Sequence, residues 1–259
     1  MEAAPLNLPT SRIEPEVLRL RELLRRSQFA PAMQAAQALL AEVPENRDLL
    51  YVLAVSQRYL GRVPDALATL ARLEQSHPDY PRVFQERGHC YVALRAAPEA
   101  IAAFERAVLL NSSLSASWQA LEVLYRMTGR AADAAGAAGH SARLAALPVE
   151  IRTAASMYCD GEIHQAEELV RQYLLTHGDH VEAMRLLAEI GVKLDVLDDA
   201  ELLLAGVLQL APDYHDARFE YAIVRACFNH FGVSLKSCRR IHVDGLAVWR
   251  PCDREVGLK

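Results

Sequence analysis

The sequence predicts an all-α fold in which helix pairs, each folded back on itself, stack into a solenoid. Three observations carry the prediction. A frame of 34 residues can be laid with starts at Ile13, Arg47, Pro81 and Ser115; the next start, Leu147, comes two residues early, and the frame resumes at Val181 and His215. A fixed period of this length marks a repeat architecture, in which each unit buries its apolar face only against its neighbours. At one offset, in the second helix, every complete unit holds alanine: Ala32, Ala66, Ala100, Ala134, Ala166 and Ala200. Two further offsets hold breakers. Gly61, Gly129 and Gly161 mark the turn inside a unit, with Arg95 and Asp195 at the same place, and Pro44, Pro78 and Pro212 close a unit, with Ser112 standing in for proline in the third. Glycine at a helix C-terminus takes the left-handed conformation at little cost, and proline cannot continue a helix.

Composition agrees with a packed helical chain. Of 259 residues, 52% are hydrophobic and 24% charged, too apolar for disorder, and the Ala/Leu/Glu/Arg runs favour helix over strand. The net charge of −5 argues against nucleic acid, whose phosphates call for a clustered Lys/Arg field. The charge is uneven: the residues from Ala226 onward carry six Lys/Arg and three Asp/Glu, a net +3, which leaves −8 on the first 225. Five cysteines without a CxxC pair fit a reducing compartment. The N-terminus has neither a basic start nor an apolar run, and no stretch approaches eighteen uncharged apolar residues. A cytoplasmic chain without a membrane partner is the expectation.

In order along the chain, residues 1–12 contain Pro5 and Pro9 without an apolar period and read as a flexible leader. Helix is expected from near Ile13, with Pro15 in its first turn. The array then covers 13–225, about six and a half units. Its clearest unit is 81–114, where Gly88 and Ala100 let two helices approach while Phe84, Tyr91, Leu94, Ile101 and Phe104 fill the space around them. The fourth unit has a second helix with Gly136 and Gly139 inside it and little bulk. Each such glycine costs about 0.5 to 1 kcal/mol relative to alanine, so this unit is expected to be the least stable and to hold a hinge or a change of superhelix, unless small residues there serve tight packing. After Arg225 the period stops, and 226–259 reads as an irregular tail, as at a truncated or frame-shifted end.

Phe84, Gly88, Tyr91, Ala100, Phe104 and Ala107, continued by Trp118, Leu121 and Tyr125, resemble the tetratricopeptide repeat. The resemblance implies a right-handed superhelical solenoid and a non-enzymatic scaffold that binds a peptide or protein segment in its concave groove. It also implies that the first helix of each unit lines that groove. The family's groove offsets fall on Tyr51, Val55, Arg58 and Tyr59, on Arg82, Gln85 and His89, on Gln119, Val123 and Arg126, and on Arg152, Ala155 and Tyr158. Tyrosine and arginine are frequent interface anchors, and arginine suits a segment carrying carboxylates. The lysine and asparagine clamp of chaperone-binding members is not matched at Val55, His89 and Val123. The run from Leu73 to Val108 is also similar to arrays that precede bacterial sulfotransferase domains, which implies an alternative role as the substrate-presenting arm of such an enzyme.

The residues themselves point to no catalytic or metal site. Cys227, His230, Cys238, His242 and Cys252 lack the paired spacing of a zinc site, and His177 and His180 have no third ligand near in sequence and read as a solvated loop. Ser141 lacks the second glycine of a nucleophile elbow. Asn111-Ser112-Ser113 fits a glycosylation sequon but reads as a turn between repeats. No cofactor is expected.

Overall fold

The computed structural model describes residues 10–229, 238–243 and 246–251, with side chains described for 13–226. Among the described residues, thirteen helices follow one another in pairs. They are α1 (Thr10–Arg25) and α2 (Phe29–Leu40), α3 (Arg47–Tyr59) and α4 (Val63–Ser76), α5 (Pro81–Ala93) and α6 (Ala97–Leu110), and α7 (Ser115–Met127) and α8 (Ala131–Ala146). Next come α9 (Val149–Cys159) and α10 (Ile163–His177), α11 (Val181–Lys193) and α12 (Leu197–Leu210), and the single helix α13 (His215–Asn229). The all-α array holds. Residues 1–9 of the expected leader lie outside the described residues, while α1 starts at Thr10 and carries Pro15 beyond its first turn.

Five first helices begin where the frame puts them: Arg47, Pro81, Ser115, Val181 and His215. The fifth unit corrects the frame, because α9 starts at Val149 rather than Leu147 and has 11 residues where α3, α5, α7 and α11 have 13. The two missing residues are therefore taken from the helix and not from the link before it. Pro148 is the reason: it caps α9 in an extended conformation, and the residue before a proline is kept out of the helical region.

The turn inside each unit is the same device six times. Ser27, Gly61, Arg95, Gly129, Gly161 and Asp195 all have positive φ, between 57° and 85°. Around Gly61 the N–H of Arg62 donates to the carbonyl of Gln57 at 2.8 Å and that of Gly61 to Arg58 at 3.0 Å, the paired bonds of a Schellman ending. Arg95 does the same without glycine, with Ala96 donating to Tyr91 at 2.9 Å and Arg95 to Val92 at 3.0 Å. The reversal satisfies carbonyls that the helix end would otherwise leave open.

The helix pairs then close on small residues. All six alanines of the common offset are buried, none more than 4% exposed. At Gly88 an added Cβ would sit 2.7 Å from the Phe104 ring, so the ring occupies the space that the missing side chain vacates. Ala54, Ala154 and Ala188 take the equivalent position in other units, against Leu70, Val170 and Leu204 in place of Phe104, and all are buried. Phe84 and Ile101 are buried beside this contact as expected, whereas Leu94 is exposed, because it is the last residue before the left-handed turn and points off the end of α5.

The chain divides into two compact units, Met1–Arg143 and Leu144–Lys259, with the boundary in the last turn of α8. The helix α8 is poor in core, with only Ala134 and Ala137 buried among its 16 residues. Its glycines do not serve tight packing: a Cβ at Gly136 would meet nothing within 4 Å, and one at Gly139 only Arg143 Nη1 at 4.0 Å. The fourth unit lacks bulk at this contact, with Glu122 where the second, third, fifth and sixth units have Ala or Gly and Ala138 where those four have Leu, Phe or Val.

The tail expected to be irregular from 226 is not so throughout. α13 continues to Asn229, and β1 (Cys238–Val243) pairs antiparallel with β2 (Leu246–Pro251), Arg240 opposite Trp249 and Ile241 opposite Val248. The physical reason lies in composition. Both segments are rich in β-favouring residues, and the dipeptide between them, Asp244-Gly245, is one that two-residue hairpins prefer.

Two outcomes are expected in denaturant unfolding. Ala100→Leu overpacks the contact between α5 and α6 and costs about 1 to 3 kcal/mol. Gly136→Ala and Gly139→Ala each raise stability by about 0.5 to 1 kcal/mol, because the helix gains propensity and no neighbour has to move.

Candidate functional site

The first helices of the unit Met1–Arg143 carry the residues that the groove offsets select, and they divide into a sealed set and an open set. Val55 and Gln85 are buried, which corrects their assignment as groove-facing: the face available to a partner is narrower than the offsets imply. They are sealed because α3 lies directly against α5. Tyr51 is half-buried and meets Tyr80 edge-on, ring centroids 5.9 Å apart, with the Arg47 guanidinium 4.9 Å above the Tyr80 ring. Arg82 is also half-buried.

Arg58 is the centre of this sealed set. Its Nε donates to Glu86 Oε2 at 2.7 Å, and the two side chains are only 16% and 8% exposed. Burial works against the charge of Arg58, but Glu86 and Tyr59 outweigh it and hold its pKa above the ordinary arginine value. His89 lies next to the pair, half-buried and edge-on to Phe104 at 5.0 Å. Burial pushes its pKa down, with Glu86 opposing and Arg58 assisting, which favours the neutral ring. Arg58 therefore joins two repeats more than it waits for a ligand.

The open set is Tyr59, Gln119, Val123 and Arg126. Tyr59 is 56% exposed, stacked on Phe29 at 4.2 Å with the Arg58 guanidinium 4.1 Å over its ring. Val123 is 54% exposed, and Arg126 is exposed and paired with Glu122 one turn earlier on α7. Met127, which the offsets did not select, is 76% exposed, one turn beyond Val123 and beside Arg126. Spacings of three and four residues put Val123, Arg126 and Met127 on one helix face.

In the unit Leu144–Lys259, Arg152 donates from Nη1 to the carbonyl of Leu144 at 3.2 Å, and Tyr158 is half-buried. The denser cluster lies one repeat later, where the offsets had not been carried. Arg185 on α11 reaches Glu220 on α13 at 3.0 Å, Glu182 at 3.4 Å and Glu189 at 3.5 Å, and the Tyr214 hydroxyl donates to Glu182 at 2.7 Å. Burial opposes Arg185's charge, yet Glu220, Tyr214 and Glu182 raise its pKa above the ordinary value. The same frame places Arg185 and Glu189 at the positions of Tyr51 and Val55, so the signal was present in the spacing.

His177 and His180 do more than sit in a solvated loop. His180 caps α11, its Nδ1 accepting the N–H of Ala183 at 3.3 Å, while His177 stacks on Tyr173 at 4.3 Å. Asn111 is buried and its Oδ1 accepts the N–H of Ser113 at 2.9 Å, the turn between repeats that the sequence suggested. Among the described residues no three His, Cys, Asp or Glu are grouped to hold a metal ion, and no helix is long and apolar enough to cross a membrane. The tail set from Cys227 to Cys252 lies outside the described side chains.

Residues 23–87 match the family model of the tetratricopeptide repeat, so this stretch carries the repeat that the frame describes. No curated protein matches the chain. Among solved structures, a thermophilic tetratricopeptide repeat protein of Thermus thermophilus is similar at 23% identity and a TM-score of 0.41, over 82% of this chain and 99% of that one. PilF of Pseudomonas aeruginosa is similar at 18% identity and a TM-score of 0.47, over 81% and 95%. A chain of the Cut9–Hcn1 hetero-tetramer of the APC/C is similar at 15% identity and a TM-score of 0.46, over 87% of this chain and 46% of that one.

Because the Arg58–Glu86 pair is mostly buried, Arg58→Met alone strands a carboxylate and costs about 3 kcal/mol or more in urea unfolding. Adding Glu86→Leu recovers most of that loss.

Proposed function

We propose that the chain is a protein-interaction scaffold, without catalytic activity of its own, whose first-helix face in the unit Met1–Arg143 binds an extended protein segment. The observation that carries this reading is the open set: Val123 and Met127 stand exposed beside Arg126 on one face of α7, and Tyr59 is exposed at the end of α3, while Val55, Gln85 and the Arg58–Glu86 pair are sealed. Exposed apolar side chains grouped on one face mark interaction sites, and a few aromatic and arginine anchors dominate such interfaces. A segment with apolar anchors and a carboxylate suits the face, since Arg126 can exchange its weak surface pair with Glu122 for a ligand carboxylate. The net charge of −5 favours a protein partner over nucleic acid. A cytoplasmic setting agrees with Cys90 as a free thiol. A second reading, the substrate-presenting arm of a sulfotransferase, has only the resemblance of the run Leu73–Val108 in its favour.

The test is a random-peptide display selection on the purified chain, followed by affinity measurement of the selected peptides against variants. Val123→Asp and Met127→Asp are expected to weaken binding by tenfold or more, and Arg126→Glu to weaken peptides that carry a carboxylate. Leu175→Asp, at a residue 87% exposed on the second helix α10, is expected to leave them unchanged. Peptides that respond to Leu175→Asp and ignore the α7 variants would overturn the reading.

A further inference from the structure

The last described helix of the array, α13, is held by an apolar core and by ion pairs to its neighbours. Ala217 and Val224 are buried in the core that α13 shares with α12. Beside them, Arg185 is the one guanidinium among three carboxylates: Glu182 and Glu189 from its own helix and Glu220 from α13. Asp216 stands one turn before Glu220 on α13, Tyr214 approaches from the link before it, and α12 contributes Glu201, which pairs with Arg225 at 3.4 Å. Glu220 Oε1 takes the Arg185 bond, but Glu220 Oε2 is buried without a hydrogen-bond donor among the described residues. A small recess of about 20 Å³ adjoins it, walled by Ala188, Glu189, Val192, Leu204, Ile223 and Val224. A buried carboxylate whose second oxygen has no donor among the described residues is stabilised by gaining a proton.

We propose that this cluster is a proton-operated clasp: uptake of one proton at Glu220 tightens the docking of α13 on α11 and α12, and its release loosens that helix. The carboxyl is poised for this. Burial pushes the Glu220 pKa above the usual carboxylate range against the pull of Arg185, with Asp216 and Glu182 adding to the rise. Glu22 is the opposite case, with Arg25 and Arg26 holding its carboxyl down at about 2. The sign follows from linkage. A group whose pKa is raised by docking contributes its full share below the undocked carboxylate pKa and loses it as pH rises through the docked value. α13 is therefore bound more firmly toward acid pH and less firmly as pH rises, and its release uncovers apolar Ala217, Val224, Leu204 and Val207.

Hydrogen exchange of the intact chain, followed by mass spectrometry between about pH 5 and pH 8 and corrected for intrinsic rates, tests this. Protection of α13 is expected to fall as pH rises, by no more than tenfold per pH unit because a single proton is involved. Protection of α5 and α6 is expected to stay level. Glu220→Gln, neutral at every pH, is expected to hold α13 at its acid level of protection throughout, and Glu201→Gln to keep the slope of the unaltered chain. Protection of α13 that stays level or rises with pH in the unaltered chain would overturn the proposal. So would a Glu220→Gln chain whose α13 is unprotected at all pH values, since the Arg185 ion pair and not the protonated carboxyl would then be what holds the helix.

Discussion

Every helix pair in this chain depends on reversing the backbone within three residues, and the reversal has one solution: a single residue in the left-handed region after the last turn of the first helix. That conformation is nearly free for Gly61, Gly129 and Gly161. For Ser27, Arg95 and Asp195, which adopt it with φ of 57° to 67°, it costs on the order of 1 kcal/mol. The cost is met locally, because the same geometry lets two following N–H groups cap the open carbonyls of the helix. It is met again by the pairing itself, which brings Gly88 against Phe104, and Ala54 and Ala188 against their bulky partners.

From this constraint the division of labour among side chains follows. Once the second helix is folded back, one face of the first helix is committed to it and another to the neighbouring first helix. Only the remainder is left for other molecules. Val55, Gln85 and the Arg58–Glu86 pair fall in the committed share, and Tyr59, Val123, Arg126 and Met127 in the remainder. The fourth unit shows what happens when the pairing contact is starved. With Ala138 in the place of Phe104, α8 keeps its turn at Gly129 but buries only two alanines, and the boundary between the two compact units falls near its end.

The repeat frame was legible in the sequence because it is written in residues with few alternatives: alanine where two helices touch, glycine where φ is positive, proline where a helix must stop. Arg95 could be placed only by its spacing, since arginine carries no signal for the left-handed region, whereas Asp195 is of a type that tolerates it. Pro148 was readable and decided the start of α9, which lies 34 residues after Ser115; the same spacing taken back from Val181 puts that start two residues early. The hairpin of β1 and β2 had its own local signal in Asp244-Gly245, which a search at a 34-residue period does not detect. The candidate site was less legible than the fold. Spacing names positions on a helix but not the depth at which the next helix covers them, so Arg58 and Gln85 looked open and are not. Met127 stands at the offset of Tyr59 and Arg185 at that of Tyr51, so both follow the same spacing.

The claim on which the account rests is that hairpin closure imposes the left-handed conformation whatever residue is present. Backbone dihedrals of Ser27, Arg95 and Asp195 in solution, from NMR residual dipolar couplings and Hα–amide scalar couplings, test it most directly. The account predicts positive φ at all three, matching Gly61, Gly129 and Gly161. Negative φ at Arg95 or Asp195, with the helix running through the turn, would contradict it.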